Sequence, residues 1–294
     1  MKTAIKAVNE GNIFQFHLKP CSADILGQAI RTGLEKYRKI TRNRMQLNKV
    51  KDSLASAGEV QQALISTATP VADGFDFAGK TIWRDETGGG YCDFIECGDW
   101  GRGKIGIVVG DVSGHGVSSA LLMTMARAYL RERIRGEGGP ACIIPDVNKR
   151  IARDTGELGF FMTLFYAEID VKSKYFRWVR AGHQPAILYD SSRESFEDLM
   201  GQGLPLGMSE NAVYGESVKH ITPGQVILVG TAGIKETRNA KGEMFGNNRL
   251  KKIIRDHAQK TAKDIIAAVI DALEHFRFPL KTKDDITLVV IKVL

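Results

Sequence analysis

No run of about eighteen apolar residues occurs in this 294-residue chain, so no helix of bilayer length is expected. The N-terminus, Met1-Lys2-Thr3-Ala4-Ile5-Lys6, lacks the apolar core of a secretory signal. Together these absences point to a cytoplasmic protein with no membrane partner. Cysteine is scarce: Cys21, Cys92, Cys97 and Cys142 form no C-x-x-C pair and have no neighbouring histidine. That pattern excludes a disulfide framework and a zinc site, leaving buried thiols as the expectation. No internal repeat is found. Disorder is excluded too, because 43% hydrophobic and 26% charged residues suffice for a sizeable core.

The net charge of +7 is concentrated. Residues 31–52 hold eight Lys/Arg against two acidic side chains, which accounts for six of those seven charges. Outside this segment there is neither a basic patch nor a nucleic-acid motif, so nucleic acid is not an expected partner. A solvated basic helix or a surface for an acidic partner remain as readings of residues 31–52.

The chain is organised around Gly110-Asp111-Val112-Ser113-Gly114-His115-Gly116. A β-branched apolar run, Ile105 to Val109, leads into it, and a helix-forming stretch, Val117 to Ala128, leads out. This places a carboxylate, Asp111, at a strand end in a glycine-rich turn, where it can serve a hard cation that prefers oxygen ligands. His115 reads as a turn residue.

Residues 1–40 are expected to hold a helix end at Lys6–Gly11, a strand at Ile13–Leu18, the pair Lys19-Pro20, and a helix from Ile25 to about Ile40 capped by Ser22 or Asp24. This segment resembles the last third of a response-regulator receiver domain. The resemblance implies that Lys19 matches the switch lysine and that a cis bond precedes the proline. Residues 41–68 read as a linker helix. Its 3-4 spacing through Ile40, Asn43, Leu47, Val50, Leu54, Ala57, Gln61 and Leu64 could seam a coiled-coil homodimer. Thr69-Pro70 marks the start of the main domain, 69–294. There, strands are expected at Phe75–Trp83, Tyr91–Ile95, Lys104–Val109, Phe160–Ile169, Tyr175–Arg180, Ala186–Tyr189, Gln225–Gly230 and Ile286–Val293. The first two flank a Gly88–Gly90 turn. Helices are expected at 117–134, Ile143–Thr155, Arg249–Ala258 and Ala262–Phe276. Hairpin succession with paired helices between predicts an α+β layered sandwich.

Metal-dependent hydrolysis needs carboxylates converging from several strand ends on a pair of cations. Asp85, Glu86, Asp93, Asp111, Asp284 and Asp285 are the candidates in turn positions. Seven stretches, collinear from residue 59 onward, carry a further resemblance: Glu59–Leu64, Asp85–Gly89, Gly110–Gly116, Ala181–Pro185, Gly203–Gly207, Gly242–Gly246 and Asp284–Thr287. They resemble the metal-dependent (PPM, type 2C) protein serine/threonine phosphatases, in the bacterial SpoIIE/RsbU-type branch. The resemblance implies an α-β-β-α sandwich, a phosphoserine or phosphothreonine protein substrate, and Mn²⁺ or Mg²⁺. It makes Asp111 and Asp284 the catalytic metal ligands, with the Val112 carbonyl adding a ligand through water and Asp285 a non-ligand neighbour. It also suggests a phosphoserine-bearing anti-sigma-factor antagonist as partner.

Two positions depart from that family. Gly90 stands where it writes a metal-binding Asp, and Ala232 stands where it writes another. Losing even an outer-shell group typically weakens affinity or activity about 10–100-fold, and these are direct ligands. Fewer unneutralised carboxylates also favour the metal-free fold. Two readings follow: an impaired phosphatase that regulates by binding a phosphoprotein, or an active phosphatase with one residual cation or substitute ligands Asp93, Asp85 or Asp285. His183 and Gly203–Gly207 read as structural, and Met123 and Met125 as helix packing.

Overall fold

The computed structural model describes residues 19–65, 69–97 and 103–294. The expected helix end at Lys6–Gly11 and strand at Ile13–Leu18 lie outside these residues. The Lys19–Pro20 bond is cis.

Helix α1 runs without interruption over Ala23–Ile65. The Ser22 hydroxyl accepts from the Ile25 N–H at 3.4 Å near its start. The expected helix ending near Ile40 and the expected linker helix are therefore one element, since no proline falls between them to break it. The chain divides into two units, Met1–Ser56 and Ala57–Leu294. In the first, Ile30, Leu34, Tyr37, Ile40, Leu47 and Val50 of α1 are exposed. In the second, Gly58, Gln61 and Ile65 at the end of α1 are buried.

The second unit contains two five-stranded antiparallel sheets. One has the order β1 (Phe75–Ile82), β10 (Ile286–Val293), β9 (Gln225–Gly230), β6 (Ala186–Asp190), β7 (Ser195–Leu199). The other has the order β2 (Tyr91–Glu96), β3 (Lys104–Val112), β4 (Met162–Asp170), β5 (Tyr175–Ala181), β8 (Glu216–His220). Helices α2 (Val117–Arg133) and α3 (Pro140–Thr155) cover the second sheet. Helices α5 (Gly246–His257) and α6 (Ala262–Arg277) cover the first, and a one-turn helix, α4 (Ala232–Glu236), follows β9.

Period-two geometry explains why the central strands are apolar throughout. In β3, Ile107 and Val109 enter the core between the sheets while Val108 and Val112 face the helices. In β10, Val289, Ile291 and Val293 face the other sheet while Leu288 and Val290 face α5 and α6. These layers match the expected α-β-β-α sandwich. The two strands flanking Gly88–Gly90 do not form a hairpin, however. β1 pairs with β10 and β2 with β3, so the glycine segment crosses from one sheet to the other. Strands β7 and β8 are additions. Both are edge strands, and residues such as Glu216, Lys219 and His220 give them no apolar run to read.

Candidate functional site

Asp111 is the penultimate residue of β3 and lies opposite Thr163 of β4. Gly110 precedes it in a tight spot: a Cβ there would meet the Met162 Cε at 2.3 Å and the Leu164 Cδ1 at 2.9 Å, so both side chains would have to shift. The turn after it uses positive φ at Gly114 and Gly116. Ser113 ties this turn to the entry of β4. Its N–H donates to the Phe161 carbonyl at 2.8 Å and its hydroxyl accepts from the Phe161 N–H at 3.0 Å.

Asp111 and Asp284 line one cavity of about 180 Å³, together with Val112, Thr163, His183 and Ala232. Asp284 is exposed at the start of β10, and its Oδ1 accepts from the Asp285 N–H at 3.0 Å. Burial, followed by the nearby charges of Asp284 and Asp285, pushes the Asp111 carboxyl up to about 8. In the absence of a cation this pocket holds its negative charge poorly.

Asp285 is occupied differently. Its Oδ1 accepts from the Arg84 N–H at 2.8 Å and its Oδ2 from the Gly90 N–H at 2.9 Å. Burial raises its pKa, and those backbone donors oppose the shift. It clasps the glycine segment to β10, and both of its oxygens are engaged. Gly88 is required by close packing, and Gly89 is tightly packed. A Cβ on Gly88 would meet the Trp83 Cδ1 and Asp285 Oδ2 at 2.3 Å, and one on Gly89 the Val112 carbonyl oxygen at 3.0 Å. The segment is thus a packed crossover and not a free turn.

Asp93, a candidate substitute ligand, does not reach this cavity. It is fully buried, accepts from the Arg131 Nε and Nη2 at 2.7 and 2.8 Å, and accepts from the Tyr91 hydroxyl at 2.6 Å. Its position next to β-sheet residues gave no hint of that internal partner. Asp85 is exposed, 3.3 Å from the His115 Nδ1 and 3.8 Å from the Arg84 Nε, and does not line the cavity. Glu86 is exposed on the same segment. His183 is buried, and burial lowers its pKa to about 3, so its imidazole stays neutral. Its Nδ1 lies 3.1 Å from the Thr163 hydroxyl, and Arg180 donates to its carbonyl at 2.6 Å. The Gly203–Gly207 loop packs on this turn, with Leu206 and Met162 exchanging backbone bonds of 2.8 and 2.9 Å. Met123 is buried in the core under α2, and Met125 packs against it.

One contact escaped the sequence reading. Gln61, assigned there to a dimer seam, is buried and pins the crossover. Its Nε2 donates to the Gly88 carbonyl at 2.6 Å, and its Oε1 accepts from the Gly88 N–H at 3.2 Å. The motif Glu59–Leu64 carried the signal, but only the fold shows its partner.

The donor set decides whether two divalent cations fit. Two side-chain carboxylates, Asp111 and Asp284, face the cavity, and the Val112 carbonyl is beside them. At position 90, a Cβ would meet the Thr287 Oγ1 at 2.6 Å. That hydroxyl is buried and has no hydrogen-bond partner among the described residues. At position 232 the wall is a methyl group. Among the described residues, no set of three or more His, Cys, Asp or Glu side chains is placed to hold a metal ion. The residues present do not fit a two-cation centre.

The model of the family Stage II sporulation protein E (SpoIIE) matches residues 101–294. Phosphoserine phosphatase RsbU of Bacillus subtilis is 27% identical over 244 residues, 83% of this chain and 70% of that protein. Phosphoserine phosphatase RsbP of the same organism is 24% identical over 193 residues, but the matched part spans only 46% of its length. Among solved structures, the SiaA-PP2C domain of Pseudomonas aeruginosa superposes with a TM-score of 0.73 at 23% identity, covering 84% of this chain and 98% of that one. The RsbU and RsbW domains of a Mycobacterium tuberculosis protein give 0.63 at 26% identity, covering 76% and 61%. With the family model covering well over half of its residues, this chain belongs to the SpoIIE family of PP2C-type serine phosphatase domains.

Proposed function

We propose that this chain is a SpoIIE-family signalling domain that recognises a phosphoserine-bearing regulatory protein and hydrolyses it weakly or not at all. One observation carries this reading: Gly90 and Ala232 stand where the resemblance implies carboxylates, and Ala232 lines the cavity beside Asp111 and Asp284. Asp111, Asp284 and the Val112 carbonyl stay as the residual ligand set for the Mn²⁺ or Mg²⁺ that the family implies. The partner class is the anti-sigma-factor antagonist type. Residues 1–40 serve as a receiver-like segment with Lys19 in the switch position, and α1 carries signals from it as a linker able to dimerise. The test is phosphate release from a phosphoserine protein in Mn²⁺, compared with the Asp111→Asn variant. No release above that variant supports the reading; turnover that Asp111→Asn abolishes defeats it.

A second reading, an active phosphoserine phosphatase acting on such an antagonist, is favoured by what RsbU and RsbP are named for. It requires that Asp111 and Asp284 hold a cation with little help. Under it, Asp284→Ala removes both cation binding and turnover.

A further inference from the structure

A second cavity, of about 230 Å³, lies on the other side of Asp284, between the Gly233–Arg238 segment and residues 277–284. Arg238, Arg277, Lys281 and Lys283 line it, with Met244 and Leu280 as its apolar part. Its acidic side chains are Glu236 and Asp284, so cations outnumber anions two to one. Little inside the protein neutralises them. Among the described residues Arg277 has Glu274 as its one carboxylate partner, at 3.8 Å, and Arg238 donates to the Gly242 carbonyl at 2.7 Å. Lys281 and Lys283 pair with no carboxylate among the described residues.

The backbone that carries these charges is fixed. The Arg84 Nη1 donates to the Lys283 carbonyl at 3.1 Å, and the Thr282 hydroxyl to the Asp284 carbonyl at 2.6 Å. On the opposite wall, the Thr237 hydroxyl donates to the Gly233 carbonyl at 2.6 Å. Gly233 sits so close that a Cβ would fall 2.3 Å from the Asp285 carbonyl oxygen. Uncompensated cations on a held frame favour an anion, because little ordering is left to be done on binding.

We propose that this cavity is an anion subsite that seats the phosphate of a phosphoserine side chain directly, through Arg277, Lys281 and Lys283 with Arg238, without a divalent cation. The proposal rests on the reading above, since a pocket without its two-cation grip needs another way to hold a phosphorylated partner. Size selects the ligand: pockets for drug-sized molecules run to about 300–1,000 Å³, so this one suits a single phosphorylated side chain and not a nucleotide. Planar guanidinium groups with flexible ammonium groups match a phosphate dianion. Asp284 is common to both cavities, so its charge opposes an anion in this one while it would assist a cation in the other.

The experiment is fluorescence anisotropy on the full chain, with chelator present, using a labelled heptapeptide bearing one phosphoserine, its serine counterpart and a labelled oligodeoxythymidylate. The phosphoserine peptide is expected to bind at least about tenfold more tightly than the serine peptide. The variant Lys281→Ala/Lys283→Ala should weaken it by about tenfold or more, as expected for lost charge-assisted hydrogen bonds. Asp284→Asn should tighten it, because one negative charge leaves the cavity wall. Matching thermal melts establish that the variants are folded. The proposal is overturned if the double variant binds within twofold of the parent, if Asp284→Asn weakens binding, or if the oligonucleotide binds as tightly as the phosphopeptide. Phosphate release in Mn²⁺ is a separate outcome: it defeats the reading of lost chemistry and leaves the dependence on Lys281 and Lys283 to be judged by its own data.

Discussion

The backbone N–H of Gly90 donates to the Asp285 Oδ2 at 2.9 Å, joining two strands that start 195 residues apart in sequence. The same glycine faces the Thr287 hydroxyl, which has no hydrogen-bond partner among the described residues. A carboxylate there could accept that hydroxyl's hydrogen bond, but its Cβ arrives 2.6 Å from the oxygen and close to Asp285. Neighbours must move, and a further negative charge joins Asp111, Asp284 and Asp285. Gly90→Asp is therefore expected to destabilise the chelator-treated protein by about 1–3 kcal/mol, the usual range for overpacking. With Gly90→Asp/Ala232→Asp, added Mn²⁺ should recover that loss, because a ligand bound only to the native state stabilises it. Urea unfolding with and without Mn²⁺ checks both expectations.

Gln61 fills both backbone hydrogen bonds of Gly88 from the end of α1. Gln61→Leu leaves a buried N–H and C=O unpaired, which costs about 1–3 kcal/mol. Glu59→Ala, on the exposed side of the same helix, should stay within about 0.5 kcal/mol of the parent. Paired urea titrations of the two variants measure the difference.

Asp93 balances Arg131 inside the protein. Asp93→Ala strands that guanidinium and is expected to cost about 3 kcal/mol, near the lower end for a broken buried pair because Arg131 is 27% exposed. In the Gly90→Asp/Ala232→Asp background it should leave Mn²⁺ affinity unchanged. A calorimetric titration in which Asp93→Ala loses cation binding would return Asp93 to the ligand set.

The pH dependence of stability separates Asp111 from His183. The Asp111 carboxyl rises to about 8 on folding, from about 3.9 in an unfolded chain. Between those values the native state binds more protons at this group, so its contribution is full below pH 4 and lost as pH rises toward 8. His183 falls to about 3, so it acts only below about pH 6.5, where its contribution is lost as pH falls. In chelator between pH 6.5 and 8, stability should therefore drop by up to about 1.4 kcal/mol per unit. Asp111→Asn should flatten that decline, which urea unfolding across this window would record.

Much of the fold was legible because the central strands are apolar on both faces, as Ile105–Val109 and Ile286–Val293 show, and because Asp111 and Asp284 sit at their ends. Edge strands β7 and β8 were not, since half their residues meet water and no period stands out. Glycine spacing alone could not distinguish a hairpin at Gly88–Gly90 from a crossover, because that depends on Asp285 and Gln61 reaching in from remote segments. Asp93 looked available for the same reason: its partner Arg131 lies on another element. The departure of Gly90 and Ala232 from the resembled motifs was plain in sequence, whereas the unpartnered Thr287 hydroxyl beside Gly90 was not.

Calorimetric titration of the full chain with Mn²⁺, beside Gly90→Asp/Ala232→Asp, probes the cation grip without depending on any substrate. At about 10–100-fold per lost group, two missing carboxylates should leave no saturable binding below about 1 mM, while the doubly substituted chain binds at least about 100-fold more tightly. Stoichiometric micromolar binding by the starting chain, abolished by Asp284→Ala, would contradict this and make the pocket a working metal centre.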